Sequence, residues 1–247
     1  MSTHTRTTVA RTFTAATAMA EAALYRLLTW LSPGYPLGAF SYSHGLEHAV
    51  EVGLVRDAAG LEAYATAALA HGAARVDVAL LAAAWEAAQR DDLAALEELA
   101  DLGVAWRGSA ELGLESASQG DAFLRTTIAA APHPLLAAFA ARRGVPGAPT
   151  PLPVALGAAA AVHGVSMVPT ATAFLHAFAA GLISAGVRLV PLGQTEGQRV
   201  LAALEGIIHA AAAEAGSTPL DEVGTAVPVI DWCSMRHETQ HTRLFRS

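Results

Sequence analysis

The chain has no lysine: all 15 of its basic residues are arginines. A phosphate-binding loop of the G-x-x-x-x-G-K-[ST] type cannot form in its usual version, so nucleotide hydrolysis is not assigned to this chain. No G-x-S-x-G nucleophile elbow occurs either. Cysteine is present once, as Cys233. No disulfide can form within the chain, no oxidising compartment is required, and a thiolate cluster for zinc is excluded. Cys233 reads as a small apolar residue. Acidic residues outnumber basic ones, 22 to 15, for a net charge of −7 with histidine neutral. A nucleic-acid binder would show a basic face, and this balance argues against one.

What remains is apolar and helix-forming. Hydrophobic residues make up 53% of the 247 positions, charged residues 15% and aromatics 6%, with alanine abundant. That length suits one larger domain or at most two small ones, and it can bury a core without staples. Alanine favours helices, nothing shows the period-two alternation of a sheet, and no repeat of fixed length occurs. An all-α, single-domain bundle of about ten helices is expected over 21–247. Residues 1–20 are rich in Thr and free of acids, like a transit peptide in composition, and are expected to be a disordered arm.

From Gly144 to Val187 there is no formally charged residue. The stretch is broken by Pro146, Pro149, Pro151, Pro153 and Pro169, and its bulk is Ala and Gly rather than Leu, Ile and Phe. Helices buried in a bundle or in a subunit interface account for it better than membrane spans do.

Helix signals punctuate the rest. Ser32-Pro33-Gly34 stops a first helix, and a second is expected from about Ala39 to Gly53. Its spacing places His44, Glu47, His48 and Glu51 on one polar face. Asp57 and Asp91-Asp92 mark further helix starts. A long helical segment runs from about Trp106 to Ala131 and carries Glu111, Glu115 and Arg125, with Gly113 and Gly120 as weak points. Thr195-Glu196-Gly197-Gln198 fits a capping box.

Two histidine motifs invite a metal. His237-Glu238-Thr239-Gln240-His241 spells H-E-x-x-H, which on a helix would place two zinc ligands and a general base on one face. It lies in a polar tail with no third ligand downstream, whereas catalytic zinc needs three fixed ligands. His44-Gly45-Leu46-Glu47-His48 spells H-x-x-E-H, but Gly45 weakens the helix and ordinary solvated or partner-facing side chains are the simpler account. His44 and His48 are candidates for a transient metal contact. No catalytic residue, resident metal or cofactor is assigned.

Three long segments resemble the signatures of one family. Leu31-Ser32-Pro33-Gly34-Tyr35-Pro36-Leu37-Gly38-Ala39-Phe40-Ser41-Tyr42-Ser43-His44-Gly45-Leu46-Glu47 resembles the N-terminal signature of urease accessory proteins of the UreF type. Ala185-Gly186-Val187-Arg188-Leu189-Val190-Pro191-Leu192-Gly193-Gln194-Thr195-Glu196-Gly197-Gln198 resembles a second signature. Ser234-Met235-Arg236-His237-Glu238-Thr239-Gln240 with Arg243-Leu244-Phe245-Arg246-Ser247 resembles the third. The likeness covers about Leu24 to Ser247. His48 stands where the family more often has an aromatic residue, and His241 where it usually has Tyr.

The resemblance implies an all-α, dimeric UreF fold and a cytoplasmic, non-enzymatic role. It implies binding to UreD (also called UreH), joint recruitment of the GTPase UreG to apo-urease, and regulation of GTP-dependent nickel insertion. A zinc-dependent hydrolase and a generic helical interaction module are the alternatives. Expected partner-binding residues are Gly38, Phe40, Ser41, Tyr42 and Glu47, together with Arg236, His237, Glu238, Gln240, Arg243, Leu244, Phe245 and Arg246. The segment 236–247 carries three Arg and one Glu, a charge of +2, so the remainder carries −9. That segment belongs to a partner-binding tail of about 228–247 and is expected to order only when a partner covers it, with Arg243 and Arg246 forked onto carboxylates and Phe245 as the apolar anchor.

Overall fold

The computed structural model describes the backbone over 4–143 and 147–247, and side chains within those spans from residue 17 onward. Among the described residues every regular element is helical: twelve α-helices and two short 3-10 turns. They are α1 His4–Trp30, α2 Leu46–Glu51, α3 Ala58–His71, α4 Ala73–Gln89, α5 Leu93–Ala105 and α6 Ala110–Ala130. Then follow α7 Pro134–Arg143, α8 Leu152–Val162, α9 Met167–Leu189, α10 Gln194–Ala203, α11 Glu205–Glu214 and α12 Pro228–His237. The all-α expectation holds.

Several starts fall where the sequence signals put them. Asp57 caps α3 by accepting from Gly60 N at 2.8 Å, and Asp92 caps α5 by accepting from Ala95 N at 3.1 Å. Others shift. Helix α1 begins at His4, inside the arm expected over 1–20: no Gly or Pro interrupts 4–30, so nothing stops it. Residues 1–3 of the expected arm, and 144–146 of the Gly/Pro-rich loop, lie outside the described residues. The capping frame at the second signature moves by two residues, with Gly193 at the N-cap and Glu196 Oε2 accepting from Gly193 N at 3.3 Å. The helix continuing from it breaks at Leu204 into α10 and α11.

Helix α8 is the axis of the fold. Every residue from Leu152 to Ala161 is buried, as expected of a helix apolar on all sides. It packs chiefly along α4 and α6. The approach is close enough that a Cβ on Gly157 would sit 2.3 Å from Leu81 O, and one on Gly120 would sit 1.9 Å from Thr150 O. Helix α9 is long and apolar enough to cross a membrane, but half of its most apolar window is buried, and it packs on α3, α4, α10 and α11. One hydrophobic cluster runs from Leu27 to Phe245, so the last residues of the chain share the core of the first helices.

Candidate functional site

The segment between α1 and α2 is irregular for identifiable reasons. Gly38 (φ 71°), His44 (φ 53°) and Gly45 (φ 75°) all adopt the left-handed region, so the chain turns repeatedly before α2 can start. Gly45 is obligatory: a Cβ there would lie 2.6 Å from Ser234 N and 2.9 Å from Ser234 Cα, where α12 crosses over it. The helix expected from Ala39 to Gly53 is thus reduced to a 3-10 turn, Ala39–Ser41, and the short α2. The expected polar face dissolves with it. Glu47 and His48 are buried rather than solvated, and only Glu51 is exposed.

Glu47 reaches under the C-terminal tail. Its Oε1 accepts from Leu244 N at 2.6 Å, and its Oε2 accepts from Phe245 N at 2.9 Å and lies 3.0 Å from His237 Nε2. The other ring nitrogen of His237, Nδ1, lies 2.7 Å from Glu111 Oε2. Arg243 Nη1 donates to Glu111 Oε1 at 2.6 Å. Four residues along α6, Glu115 Oε2 accepts from Ser247 Oγ at 3.0 Å, while its Oε1 accepts from Gln119 Nε2 at 2.9 Å and faces His44 Nε2 at 3.1 Å. The tail backbone is stitched to the first signature: Ser43 N donates to Ser247 O at 2.7 Å and Arg246 N to Ser41 O at 2.7 Å.

The second signature enters through Arg188. Its Nη2 donates to Phe40 O at 3.1 Å, and its guanidinium lies 4.4 Å from the Phe245 ring centroid. The Arg246 guanidinium lies 5.9 Å from the Tyr42 ring. All three signature segments therefore meet at one junction. Phe245, His237 and Ser247 are buried there, so Phe245 anchors the tail to its own chain. Arg243 pairs with a carboxylate as expected, but with this chain's own Glu111. Left on the surface are Phe40 (71% exposed) and Leu244 (63%), with Arg236, Glu238, Arg243 and Arg246. Gly38, Ser41 and Gln240 are partly covered, and Tyr42 is buried.

Beside the junction lies a cavity of about 450 Å³. Tyr35, Leu37, Leu112, Phe174 and Phe178 give it apolar walls, and His44, Asp77, Arg107 and Glu115 a polar one. Arg107 Nη1 pairs with Asp77 Oδ1 at 2.8 Å and its Nε donates to Gly103 O at 2.8 Å. Burial pushes the Asp77 carboxyl above its ordinary value, and Arg107 offsets only part of this. Burial pulls the His44 imidazole down, but the charge and hydrogen bond of Glu115, helped by Asp77, outweigh it, so His44 stands above its ordinary value.

Neither histidine motif has zincin geometry. Helix α12 ends at His237, so His241 is not one turn further along the same helix, and His237 is engaged by carboxylates through both nitrogens. Glu238 Oε1 instead accepts from Ala110 N at 2.8 Å, serving the start of α6. His44 precedes α2, with its ring 4.6 Å from that of Phe178, whereas His48 packs on Trp232 at 5.2 Å. Among the described residues no group of three or more His, Cys, Asp or Glu is placed to hold a metal ion. Cys233 is buried, and burial raises its thiol to about 11. Native protein at neutral pH is therefore expected to resist a thiol-alkylating reagent, and denatured protein to react fully; stoichiometric labelling of folded protein would contradict the burial.

Glu111 and Glu115 were not among the expected site residues, although both were visible on the long helix. Their spacing, continued by Gln119, draws a polar line along a helix face, which is the signal that marks them.

The chain is similar to known proteins over most of its length. A family model described as UreF matches residues 55–205. A urease accessory protein UreF of Granulibacter bethesdensis is 52% identical over 227 residues, covering 92% of this chain and 95% of that protein. One from Rhodopseudomonas palustris is 50% identical over 227 residues, covering 92% of each chain. One from a Methylobacterium species is 50% identical over 221 residues, covering 90% of this chain and 87% of its own.

Proposed function

The chain belongs to the UreF family, and from that premise we propose that it is a urease maturation factor acting as a non-enzymatic scaffold. Together with UreD it recruits the GTPase UreG to apo-urease and regulates the GTP-dependent insertion of nickel, which passes as cargo. It works in the cytoplasm as a homodimer. The convergence of the three signature segments on one junction carries this reading. The polar groups of that junction are largely spent on one another, so they have structural work in the folded chain. The outer side carries an exposed aromatic, an exposed leucine and several arginines, the residue types from which protein interfaces draw anchors, aromatics and Arg above all.

A zinc hydrolase is disfavoured by the position of His241 beyond the end of α12. A generic helical module is separated by partner identity. Tagged chain expressed with UreD, UreG and apo-urease is expected to retain UreD, to retain UreG only when UreD is present, and to be required for nickel-dependent urease activity. A chain that retains neither protein, or that turns over substrate unaided, would overturn the proposal.

A further inference from the structure

We propose that Glu47, Glu111, His237 and Arg243 form a charge-neutral quartet that positions the C-terminal tail for its partner. Two members come from the body, Glu47 on α2 and Glu111 on α6. Two come from the C-terminal segment, His237 at the end of α12 and Arg243 beyond it. The inference rests on the scaffold reading only in naming the tail as the docking element; the quartet itself is a property of this chain.

The charges assigned to the quartet follow from its hydrogen-bond pattern. Glu47 Oε2 already accepts from Phe245 N, and Oε1 from Leu244 N, the arrangement a carboxylate satisfies with both oxygens. The proposal assigns the proton of the 3.0 Å contact to His237 Nε2. Glu111 Oε1 accepts from the Arg243 guanidinium, the pairing of a carboxylate with a cation. The proposal likewise assigns a proton to His237 Nδ1, 2.7 Å from Glu111 Oε2. A histidine protonated on both nitrogens is an imidazolium. Its charge and that of Arg243 balance the two carboxylates, which lets a fully buried ring remain charged.

The consequence for docking is a division of labour. His237 and Glu47 are buried and cannot touch a partner, and Arg243 is committed to Glu111. They are positioning residues. They hold the backbone of Leu244 to Arg246 against the first signature, with the Leu244 and Arg246 side chains exposed. Both basic charges that the tail adds to the quartet are neutralised within the chain, and Arg236 and Arg246 are left for a partner's carboxylates.

The test uses full-length Glu47→Gln and Glu111→Gln, which keep shape and remove charge. Amide exchange at Leu244 and Phe245 is expected to quicken at least tenfold while amides of α4 and α8 stay protected, and retention of UreD is expected to fall at least tenfold. Should either variant lose protection throughout, Arg243→Ala, on a half-exposed side chain, gives the same local comparison. Nitrogen-15 spectra of the His237 ring are expected to show both nitrogens protonated. Tail amides as protected as in the parent chain, or a ring with a single proton, would overturn the quartet. Loss of UreD from Arg243→Ala with unchanged tail exchange would overturn positioning, because Arg243 would then touch the partner itself. If the parent chain fails to retain UreD, the scaffold reading falls, whereas the exchange and ring measurements, made on the chain alone, still judge the quartet.

Discussion

Removing Arg236–Ser247 is expected to abolish retention of UreD and also to lower the melting temperature by roughly 6–12 °C, taking about 2–4 °C per kcal/mol for a chain of this size. The sequence alone suggests a gentler outcome, in which a short solvated tail is lost and the helices are untouched. The structure gives two reasons for the larger effect. Phe245 is only 4% exposed, and losing the burial of such a ring costs about 1.5–3 kcal/mol. Glu47 and Glu111 lose His237 and Arg243, and breaking a buried pair on one side costs about 3–5 kcal/mol. Water entering the vacated groove relieves much of the second cost, so about 3 kcal/mol in all is the expected loss, against about 5–15 kcal/mol for a typical domain. A thermal melt of the truncated chain checks this, and an unchanged melting temperature would show the tail to be energetically idle. Leu244→Asp separates the two effects. Its side chain is exposed, so retention of UreD should fall while the melting temperature stays put.

Secondary structure was legible where local chemistry decides it. Asp57 and Asp92 could be recognised as caps because a carboxylate before an apolar run satisfies backbone N–H groups whatever the rest of the chain does. The site was legible as segments but not as geometry. Periodicity from Ala39 to Gly53 suggests one amphipathic helix with a wet face, and tertiary contact overrides it. Helix α12 crosses at Gly45, the turn absorbs several left-handed residues, and Glu47 is drawn inward to serve backbone groups almost two hundred positions away. No local signal reports that a carboxylate will meet a distant imidazole. The H-E-x-x-H string misleads for a related reason. Its spacing implies metal geometry only on a continuous helix, and this helix stops at the first histidine. Glycine is ambiguous in the same way. Gly120 reads as a weak point of its helix, yet it marks the place where another backbone passes.

That ambiguity gives a prediction whose sign depends on packing. By intrinsic propensity, alanine is better than glycine inside a helix by about 0.8–1 kcal/mol. Gly206 on α11 has nothing within 4 Å of where a Cβ would stand, so Gly206→Ala should stabilise the chain by about that amount. Gly120 and Gly157 should respond in the opposite direction. A Cβ on Gly120 would meet Thr150 O at 1.9 Å and Leu152 N at 2.6 Å, and one on Gly157 would meet Leu81 O at 2.3 Å and Ala84 Cβ at 3.2 Å. The obstructing atoms are largely backbone, which cannot swing aside as a side chain can, so α6 and α4 would have to move away from the start and middle of α8. Overpacking of this kind costs about 1–3 kcal/mol and occasionally more. Because α8 is buried on all sides, a shift there disturbs several interfaces at once, and the upper end applies. Gly120→Ala and Gly157→Ala are each expected to melt roughly 6–12 °C below the parent at about 2–4 °C per kcal/mol, while Gly206→Ala melts slightly above it. Equal or higher melting temperatures for the two core variants would mean that α8 does not lie so close to its neighbours, and the small-residue packing at the centre of this fold would have to be redrawn.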